Sequence, residues 1–301
     1  MTYKIDRDRE SGPRVTGCLR TATTLGVPGR VVDRSRNLDR VLTCAVRLTR
    51  AGFLRYATYR QAVFAGLVTN TMFGFLRTAI VLTVFAGSAR VAGYDPASAV
   101  TFVWVGQGLL VVVMIFGEGE LAGRVRTGQV SADLLRPVDL QAALLAEDLG
   151  RASFAMMTRF AVPVVIGGLA FELALPTSPV RWLSFAVGVL LAVLVSFGLR
   201  FLINLTAFWL LDSRGVLTIY AVVAPMLAGL IIPVPYFPGW AAAVLAATPF
   251  PAMVQTPTDL LLGRGDAAWL LAGQLLWAVL LLGAGRLVLA RAVHRLVVQG
   301  G

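Results

Sequence analysis

Arg77, Arg159 and Arg200 each stand inside a stretch that is otherwise almost free of charge. A charge at membrane depth costs about 2.5 kcal/mol or more on insertion scales, so each is expected to face a bundle interior or a partner subunit. Two chemistries are open to them: polar lining of a substrate path or subunit seam, or structural pairing with a carbonyl or an acid. Arg77 shares a helical face with Gly66, Asn70 and Gly74, because seven residues make nearly two turns. Small residues on that face permit close helix approach. Arg200 shares a face with Ser196 and Asn204, and Arg159 lies about two turns beyond Arg151. Asn70, Gly74, Arg77, Arg159, Arg200 and Asn204 are therefore the candidates for a path or seam.

Other chemistries lack their residues. The chain has one lysine, Lys4, so a GxxxxGK[ST] phosphate loop cannot be built from it. Its single histidine is His294, which leaves no multi-histidine metal site. Cys18 and Cys44 have no metal-ligand spacing, and a disulfide is not expected. There is no GxSxG turn and no carboxylate pair on one apolar stretch, so an intramembrane enzyme has little support. Glu118, Glu120, Glu172, Asp212 and Asp259 fall at stretch ends or in loops, whereas a proton-coupled carrier wants titratable acids at mid-membrane.

The elements that must position these residues are long apolar stretches at about 61–89, 98–117, 152–170, 182–199, 215–232 and 267–285. About 20 apolar residues in a helix cross the roughly 30 Å hydrocarbon core, so the expectation is an all-α integral membrane protein with six spans. The chain is 57% hydrophobic and 14% charged, against about a quarter charged in soluble domains. The net charge of +11 raises the question of nucleic acid, but the basic residues follow the loops. Nearly half precede residue 61, four run from Arg124 to Arg151, and Arg286, Arg291 and Arg295 close the chain. That alternation is the positive-inside pattern and predicts both termini in the cytoplasm, with membrane lipid rather than nucleic acid as the partner of the basic arm.

Residues 1–38 are polar and aperiodic and are expected to form a flexible cytoplasmic arm. Over 39–60, apolar Val41, Leu42, Ala45, Val46, Phe53, Leu54 and Ala57 recur at helical spacing among arginines, which predicts an amphipathic interfacial helix. No cleavable signal sequence is expected, the first 60 residues being too charged. A cytoplasmic loop of both charge signs is expected over about 118–150. Between Pro233 and Pro257, prolines bound an apolar piece too short to span, which predicts short re-entrant helices over about 233–258 before the last span. No internal repeat is visible, and residues 61–298 are expected to pack as one six-span unit.

Tyr59-Arg60 at the first span, the string Gly128-Gln129-Val130-Ser131-Ala132-Asp133-Leu134-Leu135-Arg136-Pro137-Val138-Asp139, and the proline-rich segment before the last span resemble the permease subunits of bacterial ABC-2 type exporters, in the branch without a fused ATPase domain. The resemblance covers about 41–298. It implies a coupling segment between spans two and three that docks in a cleft of a separate ATPase subunit. Arg124, Arg126, Asp133, Leu134, Leu135, Arg136, Pro137 and Asp139 are then the coupling candidates. It also implies two ATPase copies that bind ATP and Mg, no cofactor on this chain, and a second permease, identical or related. The substrate is expected to be hydrophobic or amphiphilic (drug, antibiotic or lipid-like), moving outward across a bacterial plasma membrane. The rival expectations are an ion-coupled secondary transporter and a non-transporting half of a heterodimeric permease.

Overall fold

In a computed structural model, residues 34–117, 119–136, 138–210 and 213–294 are described. The expectations for the arm up to residue 33, and for Glu118, Pro137 and Asp212, fall outside them. Every regular element among the described residues is a helix, apart from one bridged pair, Val91 and Tyr94.

The first helix, α1, is Arg34–Ala57 and begins earlier than the expected residue 39. It lies along α6 (Leu140–Ala155) with the two backbones in contact. Gly52 faces the carbonyl of Glu147, and Gly150 faces the carbonyl of Thr49; a Cβ at either would overlap that carbonyl. Phe53 meets Phe154 edge to face at 5.3 Å. Leu42 and Val46, on the same helix face as Thr49 and Phe53, share a cleft with Gly150 and Ser153 and stay largely exposed.

Among the described residues, four helices are long and apolar enough to cross a membrane: Val63–Val84 within α2 (Arg60–Val84), Leu140–Ala170, Pro179–Phe208 and Ala267–Val293. The second of these corrects an expectation. Residues 140–151 were expected in a loop, but they are helical from the Asp139 cap onward, because Asp139 accepts a bond from the Ala142 backbone N–H at 2.8 Å. α6 then passes through a π-turn, Met156–Phe160, into α7 (Ala161–Ala170). The turn lies just ahead of Pro163, whose ring cannot donate the next helical bond.

The other two expected spans are shorter helices, α3 (Pro96–Val112) and α9 (Arg214–Leu227). At 1.5 Å per residue they reach about 26 and about 21 Å, less than the hydrocarbon core. α3 starts sharply: Pro96 follows Asp95, whose side chain accepts from Ser98 N at 2.8 Å while Ser98 Oγ accepts from Asp95 N at 3.1 Å. α3 ends inside the bundle, where the carbonyl of its last residue, Val112, is left without a backbone donor, whereas the turn after α9 bonds back to the Ala224, Pro225 and Met226 carbonyls. Arginines from other helices hold the backbone at the end of α3 and beyond α9. Arg151 donates to Val111 O at 2.7 Å and Val112 O at 2.8 Å. Arg77 donates to Leu230 O and, at 3.2 Å, to Ile231 O, just beyond α9.

Between Pro233 and Pro257 lie α10 (Gly239–Ala246) and the start of α11 (Gln255–Leu262), with one-turn 3-10 segments before each. Eight residues make about 12 Å of helix, so neither can span. α11 is buried against α8 (Pro179–Leu205), while Trp240 on α10 is exposed. α8 is the central post of the bundle, buried over 61% of its apolar window, against 17% for α2 and for α12 (Ala267–Val293). The apolar outer faces of α2 and α12 must therefore meet lipid or another chain.

Candidate functional site

At one end of the bundle, α4 (Glu120–Arg126) and α5 (Val130–Leu134) form a short helical pair between α3 and α6. Their apolar side seats Leu121 and Val130 among Leu140, Phe197, Phe201, Leu205 and Leu289, with Leu134 packed alongside. Their charged side is cross-linked. Glu120 accepts from Arg124 at 2.6 Å and from Arg55 of α1 at 3.1 Å. Asp133 accepts from Arg124 at 3.1 Å and lies 3.5 Å from Arg136. Burial pushes the Glu120 carboxyl up, but the hydrogen bonds from Arg124 and Arg55 outweigh it and hold the group below its ordinary range. Partly exposed ion pairs contribute about 0–1 kcal/mol each, so this network sets geometry more than stability.

Of the sequence-derived coupling residues, Arg124 and Asp133 are thus engaged with each other. Asp139 caps α6 and stands 3.6 Å from Arg286. Arg126, Leu135 and Arg136 are turned outward, Leu135 with 87% of its surface exposed.

Beneath the pair runs a buried polar chain. Asn204 Oδ1 accepts from Ala122 N at 2.9 Å, filling one of the backbone donors that α4 leaves open at its start. Asn204 Nδ2 donates to Arg200 O at 2.8 Å. Arg200 Nη2 donates to Asp148 Oδ2 at 2.7 Å, and Arg151 Nε donates to Asp148 Oδ1 at 2.7 Å. Arg151 reaches on to the end of α3, and Ser196 donates to Val113 O on the same turn. Asp148, Arg151, Arg200, Ser196 and Asn204 are all buried. Sequence reading placed Arg200 beside Ser196 and Asn204 but missed Asp148, which was absorbed into the expected loop. Its signal was an acid three residues before Arg151 at the start of an apolar run.

The remaining candidates meet in a second place. A cleft of about 960 Å³ lies between α2, α3 and α9, lined by Asn70, Phe73, Arg77, Phe102, Leu110, Arg159 and their neighbours. Asn70 Nδ2 donates to Gln107 O at 2.8 Å, tying α2 to α3. Gly74 faces the Trp104 ring, which a Cβ would approach to 2.9 Å. Arg159, on the π-turn, lays its guanidinium over Gly66, where any side chain would overlap it. The structure therefore separates the six path candidates: Asn70, Arg77 and Arg159 line the cleft, Gly74 packs against Trp104 between α2 and α3, and Arg200 and Asn204 belong to the buried chain below α4.

A model of a family described as ABC-2 family transporter protein matches residues 69–300. The chain belongs to the ABC-2 transporter family. A search of the curated proteins found no match. The chain is thus an ABC-2 type permease, a multi-pass membrane component of an ABC transporter, and membership implies association with an ABC ATPase subunit. The matched range takes in the cleft from Asn70 onward, the helical pair α4–α5 and the buried chain of the permease.

Proposed function

We propose that this permease is the membrane half of an ATP-driven exporter and that α4–α5 is its coupling segment. Two ATPase copies bind ATP and Mg and close. Each presses on the outward-facing Arg126, Leu135 and Arg136, and the movement passes through Asn204 and the Asp148 ion cluster to α8, α6 and the end of α3. The observation that carries this reading is the buried polar chain, which links a surface helix to three bundle helices without a gap. A surface segment can transmit motion only through such rigid contacts, since an unanchored loop would absorb it.

In this reading α3 and α9 serve as the second and fifth of six spans, lengthened by residues 113–117, held by Ser196 at Val113 O, and 228–232, held by Arg77 at Leu230 O and Ile231 O. Both termini lie in the cytoplasm of a bacterial plasma membrane, α1 rests in the interface, and α10 and α11 dip back from the outer face. Two permeases, identical or related, pair along α2 and α9, whose apolar faces are largely exposed in the single chain. A hydrophobic or amphiphilic substrate moves outward between them.

The test is purification of the tagged full chain in mild detergent with identification of co-purifying proteins. A stoichiometric ABC ATPase, lost on Arg126→Glu combined with Arg136→Glu, is the expected result. Recovery of the permease with no ATPase under any mild condition overturns the reading and puts an ion-coupled carrier in its place.

A further inference from the structure

The cleft between α1 and α6 lies apart from both the path and the coupling segment. It encloses about 400 Å³, within the roughly 300–1,000 Å³ that small-molecule sites occupy. Leu42, Ala45, Val46 and Phe53 of α1 face Gly150 and Ser153 of α6 across it. With Thr49, these α1 residues recur every three or four positions, so they form one stripe along the helix. Leu42 and Val46 keep 59% and 66% of their surface exposed. Met157, four residues beyond Ser153, is exposed as well, so the cleft opens onto an apolar flank.

The charge around the cleft has one sign. Arg50 is its only charged lining residue, and Arg47, one turn earlier, is exposed beside it. The next arginine, Arg55, is tied to Glu120, whereas no ion pair or hydrogen bond among the described residues engages Arg47 or Arg50. No acid occurs from Leu42 to the end of α1. The two acids of α6 are turned to other business. Glu147 lies toward Gly52, which is nearly opposite Arg50 on the helix, and Asp148 is held by Arg151 and Arg200.

An apolar groove rimmed by two free guanidiniums fits an acyl chain beneath a headgroup of net negative charge. An acidic protein surface would answer the arginines and leave the stripe uncovered. A zwitterionic lipid would cover the stripe and leave the arginines unmatched. Resting on the interfacial placement of α1 in the reading above, we infer that this cleft is a binding site for an anionic phospholipid of the cytoplasmic leaflet. One acyl chain lies against Leu42, Val46 and Phe53, and the headgroup phosphate meets Arg50 and Arg47. Because the same helix sends Arg55 to Glu120 of α4, the bound lipid helps to seat the coupling segment.

The test uses the full chain with Cys18 and Cys44 replaced by serine and a bimane label on Met157→Cys, in mixed phosphatidylcholine and phosphatidylglycerol nanodiscs without ATPase. One lipid at a time carries brominated chains, and quenching of the bimane reports which lipid occupies the cleft. Phosphatidylglycerol is expected to be preferred, by about fivefold for each of the two arginines. A bimane on Leu276→Cys of α12 should be quenched alike by both. Arg47→Gln with Arg50→Gln is expected to abolish the preference, and Arg47→Lys with Arg50→Lys to keep it. Ala45→Phe fills the cleft with both arginines in place and is expected to lower the preference to the α12 level. Equal quenching by the two lipids in the unsubstituted cleft overturns the inference, and so does an undiminished preference in Ala45→Phe, which would assign the effect to surface charge alone. Absence of quenching by either lipid means that protein covers the cleft, and removes the interfacial placement of α1 as well. The ATPase plays no part in this measurement, so the exporter reading and the lipid site fail separately.

Discussion

At the scale of single residues, arginine in this permease does two kinds of work that a sequence cannot tell apart. Arg151 finishes a helix, donating to the last carbonyls of α3, and Arg77 ties α2 to the backbone just beyond α9. Arg200 is one arm of an ion triad on Asp148. Burying such a triad brings little net stability, because desolvation offsets the attraction, but removing one member leaves uncompensated charge. Asp148→Ala strands two buried guanidiniums and is expected to cost about 3–5 kcal/mol. The expected outcome is loss of monodisperse protein on gel filtration in detergent. Combining it with Arg200→Met should recover part of the yield, since one of the stranded charges is then gone. Equal yield of wild type and Asp148→Ala would show that the triad does not hold these helices.

At the scale of elements, the contact that matters most for coupling is between α4 and α8. Asn204 joins them by one side-chain bond to Ala122 N, and the loss of such a cap costs about 1 kcal/mol. Asn204→Ala is therefore expected to leave the permease folded and still bound to its ATPase. What should fall is the substrate-stimulated part of ATP hydrolysis in the reconstituted complex, with basal hydrolysis retained. Stimulation at the wild-type level would remove Asn204 from the transmission path. α1 meets α6 differently, through glycines that bring backbone onto backbone. Only glycine allows that approach, which gives α1 a fixed seat around Thr49 to Phe53, while Leu42 and Val46 toward its start stay largely exposed.

At the scale of the whole molecule, burial is uneven. α8 is the core, and α2 presents Phe64, Val68, Met72, Phe73 and Ile80 outward, as α9 presents Ile219 and Val222. If α2 and α9 form the seam between two permeases, Val222→Cys, in a chain whose Cys18 and Cys44 are replaced by serine, is expected to cross-link to dimer size in native membranes under mild oxidation. Leu276→Cys on the exposed face of α12 should remain monomeric. A dimer band from the α12 position alone would move the seam to that face.

Much of this was legible beforehand because the physics is one-dimensional. A bilayer demands long apolar helices, so hydropathy alone marked an all-helical membrane protein. The positions of Arg200, Ser196 and Asn204 on one face followed from helical periodicity. Other features needed the third dimension. Apolar runs at 98–117 and 215–232 cannot reveal that their helices stop early, because the backbone at the end of α3 and beyond α9 is held by arginines far away in the chain, Arg151 and Arg77. Asp148 looked like a loop acid until α6 was seen to extend back to Leu140, which turns the acid toward Arg200 of α8. The sequence by itself determined the class of solvent and the helical content, since these depend on composition and local period. Only the tertiary structure decided which arginines close helix ends, which line the cleft and which acid is buried, because those depend on what packs across from each side chain.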